Sequence, residues 1–487
     1  MVLSIVTLIV NDRILKSALP GFITGKLSDV AGLVFFPLLL VAVCELFASA
    51  LRRWSGPSSR WIILAVAATG LVFAAIKLLP AAESAYELAL GAAQWPFQAI
   101  AALLGGASAP PLRAVALTRD PTDLAAIAAL WIPMTIGLNR VAASTATAGS
   151  VARRSVSAYD FIVAGLSVML LAGAIVDGWA HTHQLLALES VVTPWHAVVY
   201  LTFVAVAVVL LAPPAFTWLG QGREAARAAI PTGYELSVAG VFIFAGMGAA
   251  DTAWHLAFGI EANAEALLSP THLGLGLGAA LIASGPIRAA WDRRDEPATW
   301  PRFLPAVLSV VAIAGVAGFA LHVANLFVDP WPRFPYALSD VTWYGPHIGV
   351  ASALVPTAIV LAPALLLVRR WGEVPPGTMT LLIGGAIAGL TFLHDQGELV
   401  GAPILGGFVA DLLLIALRPG DAPWRFRAFG FLAGAGLLAS YFLVLWATSD
   451  VAWSAHLIGG TVVLAGGTGW AIAFLASGSY STQRPWT

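Results

Sequence analysis

The sequence predicts an all-α polytopic membrane protein, and three observations carry that reading. Hydrophobic residues make up 59% of the 487-residue chain and charged residues only 10%, against roughly 25% charged in soluble domains. Apolar runs such as Phe161 to Val176, extended on both sides, and Ile348 to Val368 reach the ~20 residues that cross a bilayer as a helix. From Arg153 onward the basic residues are all arginine and fall in clusters: Arg153-Arg154, Arg223/Arg227, Arg288/Arg293/Arg294/Arg302, Arg369-Arg370, Arg418/Arg425/Arg427 and Arg484. Pairs of apolar segments lie between clusters, and the loops joining each pair carry no basic residue except Arg333.

The first 150 residues form an N-terminal membrane domain of unknown role. They hold all three lysines (Lys16, Lys26, Lys77) and no histidine. Runs near 30–51, 61–79 and 121–139 are predicted to span. The stretch 84–106 is read as interfacial or re-entrant, because a span there would break the charge rule at Arg140. Asp120 and Asp123 flank Pro121 and read as caps of a helix start. Ala142 to Val151 is a Ser/Thr/Ala/Gly linker.

Residues 151–487 are predicted to form ten helices, near 159–180, 195–218, 234–257, 270–291, 303–325, 343–369, 378–394, 402–418, 427–447 and 452–476. The whole chain then has about 13–14. The positive-inside rule places the arginine loops in the cytoplasm. Five tips, near 181–195, 257–270, 326–346, 394–402 and 448–453, then face outward, and the expected location is the cell (plasma or bacterial inner) membrane. His196, His272 and His347 lie 76 and 75 residues apart, each shortly after a proline (Pro194, Pro270, Pro346). That period reads as five repeated transmembrane helical hairpins.

Composition also excludes. A net charge of −1 gives no footprint for nucleic acid; the predicted partners are the lipid bilayer and, as an open question, other membrane subunits. The lone cysteine, Cys44, excludes an internal disulfide framework and a Cys-based zinc or iron-sulfur site, and reads as a small buried apolar residue. Met1 to Val10 is apolar but lacks a basic start and a small-residue cleavage site, so no cleavable signal peptide is predicted.

All nine histidines lie between His181 and His456, each at or beside an outward tip. Two groups repeat an order. The first reads Asp177-Gly-Trp-Ala-His181, then Glu189, then Thr193-Pro194-Trp195-His196; the second reads Asp251-Thr-Ala-Trp-His255, then Glu261, then Ser269-Pro270-Thr271-His272. Asp and His four apart share a helix face. A hydroxyl cap followed by proline starts the next helix with a histidine in its first turn. Carboxylate with imidazole suits copper, zinc or iron. The competing reading is an interfacial Asp-His hydrogen-bonded pair. Glu189 and Glu261 are candidates to complete the shells or relay protons. Two weaker sets are His322/Asp340/His347, where Gly318 replaces the helix-end Asp, and His394/Asp395/Glu398/His456. Asp411, inside an apolar helix, reads either as functional or as paired with a neighbour. The tryptophans beside the tips read as an interface belt.

The order Asp-x-x-x-His, an acid, then Thr-Pro-x-His resembles the C subunit of the particulate methane and ammonia monooxygenases, the copper membrane monooxygenase family. The resemblance implies copper ligation within the membrane by Asp177, His181 and His196, and in the second copy by Asp251, His255 and His272. It covers these two stretches and not the chain. The histidine spacings are longer than that family's, and the tips lack its Arg-Asp pair. Oxygenase activity in that family requires other subunits. The leading function is therefore a membrane metalloprotein, copper first and zinc or iron as alternatives, either monooxygenase-like (an oxidoreductase) or metal-handling. The alternatives are a haem b electron-transfer protein using pairs such as His196 and His272, a secondary transporter, and a structural scaffold.

Overall fold

A computed structural model describes residues 4, 7–8, 11, 16, 22–50, 58–104, 110–115, 117, 120–145, 158–183, 194–258, 267–293, 298–335 and 345–477. Helices dominate, with no strand among the described residues. Twelve are long and apolar enough to cross a membrane. The chain divides into two compact units, Met1–Ala148 with Leu443–Ser449, and Gly149–Phe442 with Asp450–Thr487.

The first unit contains α1 (Phe22–Ala50), α2 (Ser59–Leu78), α3 (Pro80–Leu104) and a 3-10 helix Pro121–Leu130 that runs into α4 (Trp131–Thr145). Spans at Thr24–Glu45, Ser59–Leu78 and Pro121–Leu138 match the three expected runs; α3 is long but is not among the twelve. Asp120 does cap its helix, its Oδ1 accepting from Thr122 N at 2.9 Å. The two aspartates also do more than cap. Lys26 Nζ reaches Asp120 and Asp123 at 2.5 Å each, and Lys77 Nζ reaches Asp123 at 2.5 Å and Asp29 at 3.8 Å. Unpaired charges in a span are costly; here five pair with one another and tie α1 and α2 to the 3-10 helix. Cys44 is half-buried and free rather than fully buried.

In the second unit, α5 (Ala158–Thr182), α6 (Pro194–Gln221), α7 (Glu235–Phe258) and α8 (Pro270–Asp292) pack together, with α9 (Trp300–Ala320) against α5 and α8. Val163, Val206, Leu210, Tyr234, Val241 and Ile282 form their shared core, and Phe203 stacks on Phe244 with ring centroids 4.5 Å apart. Helices α7 and α8 approach through Gly240 and Gly278. A Cβ on Gly240 would lie 2.8 Å from Gly278 O, so the crossing requires the small residues. One end is locked by Asp160, which accepts from Tyr234 Oη at 2.6 Å and pairs with Arg293 at 3.1 Å. Asp177 lies on the same helix as Asp160, about 25 Å further along at the α-helical rise of ~1.5 Å per residue. The histidines therefore collect at the end away from Arg293. Beyond α9 come α10 (Gly345–Trp371), α11 (Gly401–Leu417), α12 (Pro423–Thr448) and α13 (Ala455–Ser477).

Helices α1 to α13 and the broken segment at 380–392 agree with the expected count of about 13–14, and twelve spans among the described residues are long and apolar enough to cross. The segment expected to cross at 378–394 is shorter and broken into a π-turn Thr380–Gly384, an α-turn Gly385–Ile387 and a 3-10 turn Ala388–Phe392. Its start is held from outside by Asp411 on α11. That carboxylate accepts from Met379 N at 3.0 Å, Thr380 N at 2.8 Å and Thr380 Oγ1 at 2.6 Å. Asp411 is thus a helix-start anchor supplied by a neighbouring helix, which resolves its two readings toward the paired one.

Candidate metal centre

Local rules build the first group. Asp177 and His181 lie one turn apart at the end of α5, and His196 sits in the first turn of α6 behind Pro194. Asp177 Oδ2 is 3.7 Å from His181 Nε2 and 3.5 Å from His196 Nε2, and the two nitrogens are 3.5 Å apart. These lengths are long for hydrogen bonds, and the three atoms face one another. A point at the middle of that triangle lies about 2.1 Å from each, the length of a zinc- or copper-type bond to imidazole or carboxylate. Asp177 Oδ1 and Trp195 Nε1 are buried with no hydrogen-bond partner. A buried polar atom left orphaned is uncommon, and two occur within one turn of this triangle. Tyr200, one turn further along α6, stacks on His196 with centroids 5.8 Å apart.

The second group repeats the placement at the end of α7 and the start of α8. His255 Nε2 is 3.1 Å and His272 Nδ1 3.4 Å from the Asp251 carboxylate. Each group's three ligand atoms lie within 4.8 Å of one another. Here, however, hydroxyls intervene. Thr271 Oγ1 donates to Asp251 Oδ1 at 2.6 Å, and Ser269 Oγ bonds His272 Nδ1 at 2.7 Å while also capping α8. His196 lies in electrostatic range of Asp251 and His255, and Tyr200 of both aspartates, so the two groups share one end of the bundle.

The second of the weaker sets divides. His394 does not assemble with Asp395, Glu398 and His456. Its Nδ1 bonds Asp329 Oδ1 at 2.7 Å, and its ring meets His322 edge-on. Asp395 has φ +56°, which turns it away from the path of His394. It bonds His183 Nε2 at 2.7 Å and accepts from Trp179 Nε1 at 3.4 Å, both at the end of α5. Glu398 pairs with Arg333 at 2.6 Å. His322 therefore meets His394, and His347 and His456 sit exposed in the first turns of α10 and α13, in neither Asp-His-His group. Glu189, Glu261 and Asp340 lie outside the described residues.

Sequence reasoning missed His183 and Asp329. His183 Nδ1 faces Trp179 O at 2.8 Å while Nε2 faces Asp395. With an acceptor on each nitrogen the ring is suited to carry both protons, and the bond to Asp395 raises its pKa above the ordinary histidine value. Asp395 is lowered in turn by His183. Burial holds His322 below the histidine range. The only sequence signal for Asp329 was an acid within an outward tip.

No family model, curated protein or solved structure matches this chain. Fold and site together define a polytopic α-helical membrane protein with two Asp-His-His groups that could each hold a metal ion.

Proposed function

We propose that this chain is a membrane metalloprotein holding one metal ion at Asp177, His181 and His196 and a second at Asp251, His255 and His272. The observation that carries the reading is the triangle of Asp177 Oδ2, His181 Nε2 and His196 Nε2, with edges of 3.5–3.7 Å, beside an orphaned Asp177 Oδ1. Imidazole and carboxylate accept copper, zinc or iron, and among divalent ions copper binds such donors most tightly. Copper is therefore the ion proposed. A haem pair fits less well. Two nitrogens trans on one iron stand about 4 Å apart at ~2.0 Å bonds, whereas His181 and His196 nitrogens are 3.5 Å apart. His196 and His272, moreover, each face their own aspartate.

With three protein ligands an ion keeps an open position, as catalytic rather than closed structural sites do, and there it supplies Lewis-acid or redox chemistry. The protein residues do the rest. Each carboxylate offsets the ion's charge, and the imidazoles bind as neutral rings. Stacking by Tyr200 fixes the plane of His196. This arrangement supports a copper membrane monooxygenase-like or a metal-handling role on the extracytoplasmic face of the cell membrane, with other membrane subunits as partners if the role is oxygenation.

Metal analysis of the purified chain tests the reading. About two ions per chain are expected, and His196→Ala and His272→Ala should each remove about one. A double variant that folds like the parent and retains as much metal overturns it.

A further inference from the structure

We propose that His322 and His394 form a third transition-metal site, separate from the two Asp-His-His groups, with Asp329 holding His394 in its ligating form. The ion is a borderline divalent one, Cu(II) or Zn(II), since two neutral imidazoles select that class over calcium or magnesium.

Three features place the pair. His322 opens the 3-10 turn after α9, Asp329 lies in the following tip, and His394 follows the broken segment 380–392. Each is anchored by a neighbour in one buried cluster. Phe319 lies one turn before His322, Val328 precedes Asp329, and Leu393 precedes His394; Val328, Leu390 and Leu393 are its buried members, with Phe319 and Ile175 packed against them. The apolar cluster thus fixes the three polar residues on its rim.

The hydrogen bonds then set which nitrogen is left. His322 Nδ1 faces Phe319 O at 3.1 Å and His394 Nδ1 faces Asp329 Oδ1 at 2.7 Å. A carbonyl and a carboxylate only accept, so Nδ1 carries the proton in both rings and Nε2 keeps its lone pair. A carboxylate or backbone carbonyl behind each metal-binding imidazole is the usual outer support of such sites.

Ring geometry agrees. Two imidazoles sharing one ion at about 2.0–2.1 Å per bond have centroids about 5 to 6 Å apart. The His181/His196 and His255/His272 rings are 5.3 and 5.9 Å apart at 70° and 61°. His322 and His394 are 5.6 Å apart at 87°. The difference is the position of the carboxylate. Asp177 and Asp251 stand beside the nitrogens as candidate ligands, while Asp329 stands behind one ring as its orienting partner.

The test is independent of the two Asp-His-His groups. In a His196→Ala/His272→Ala background, titration with Cu(II) should still load about one ion, with pulsed EPR reporting two imidazole nitrogens. Adding His322→Gln/His394→Gln should abolish that ion, and Asp329→Asn should weaken it about 10- to 100-fold. A background that folds like the parent but binds no Cu(II), or an ion insensitive to His322→Gln/His394→Gln, overturns the third site. Neither result bears on the loss of metal caused by the His196 and His272 substitutions themselves.

Discussion

Asp177 and Asp251 end equivalent helices, face equivalent histidines, and differ in who satisfies the carboxylate. Behind the second, the helix start reads Ser269-Pro-Thr-His272, and both hydroxyls turn inward: Thr271 to Asp251 Oδ1 and Ser269 to His272 Nδ1. Behind the first, Trp195 occupies the position of Thr271. An indole can donate only through Nε1, and that atom is buried without a partner, as is Asp177 Oδ1. One side chain therefore separates a carboxylate whose Oδ1 accepts from a hydroxyl from one whose Oδ1 has no donor, its Oδ2 alone facing His181 and His196. On the proposed reading Asp251 Oδ1 keeps its hydroxyl donor with or without an ion, whereas Asp177 Oδ1 would gain a partner from one.

The largest expected effect follows from that asymmetry. Stripping metal with a chelator should destabilise the first group's hairpin far more than the second's. Asp177→Asn should release one ion per chain while making the metal-free protein more stable than the metal-free parent, because it removes a half-buried charge whose Oδ1 has no donor. Asp251→Asn should release the other ion without that gain. Melting curves of the two variants with and without chelator decide it; equal responses would end the distinction between the groups.

A smaller substitution should convert the second group into the first. Thr271→Val keeps the shape of the helix start and leaves the half-buried Asp251 Oδ1 without its hydroxyl donor, a loss of about 1 kcal/mol. The metal-free form should lose that stability and the metal-loaded form much less of it, since an ion can take over the freed oxygen. Calorimetry of both forms measures the difference. A loss equal in both would show that Thr271 serves packing alone.

What was legible in the sequence tracks the range of the interaction. The spans at α5 to α9 follow from apolar length alone, and the triangle follows from Asp177 and His181 one turn apart plus a proline-started helix carrying His196. Hydropathy does not register what breaks 380–392. Gly384 and Gly385 weaken the helix, and Asp411, about 31 residues away, captures its first amide groups. The second of the weaker histidine sets divides for the same reason. Reading neighbours as partners joined His394 to Asp395, but Asp329 is 65 residues from His394, and His183 is 212 from Asp395. No spacing rule reaches that far.

The smallest expected effect concerns the rim of the first group, where His183 has no counterpart, since Ala257 occupies the matching place two residues past His255. His183 is half-buried, and Asp395 raises its pKa, so the pair's contribution to stability is complete below the ordinary histidine value of ~6.5 and fades as pH rises through the raised value. Asp395, lowered by His183, contributes above its ordinary value of ~3.9 and loses that contribution as pH falls through the lowered one. Between these limits both charges are present. His183→Ala should therefore lower the melting temperature most near pH 5 to 6, with the gap to the parent closing toward alkaline pH, and Asp395→Asn should show the same profile. A gap that stayed constant with pH would mean that the bond from His183 to Trp179 O, and not the charge on the ring, holds this end of α5.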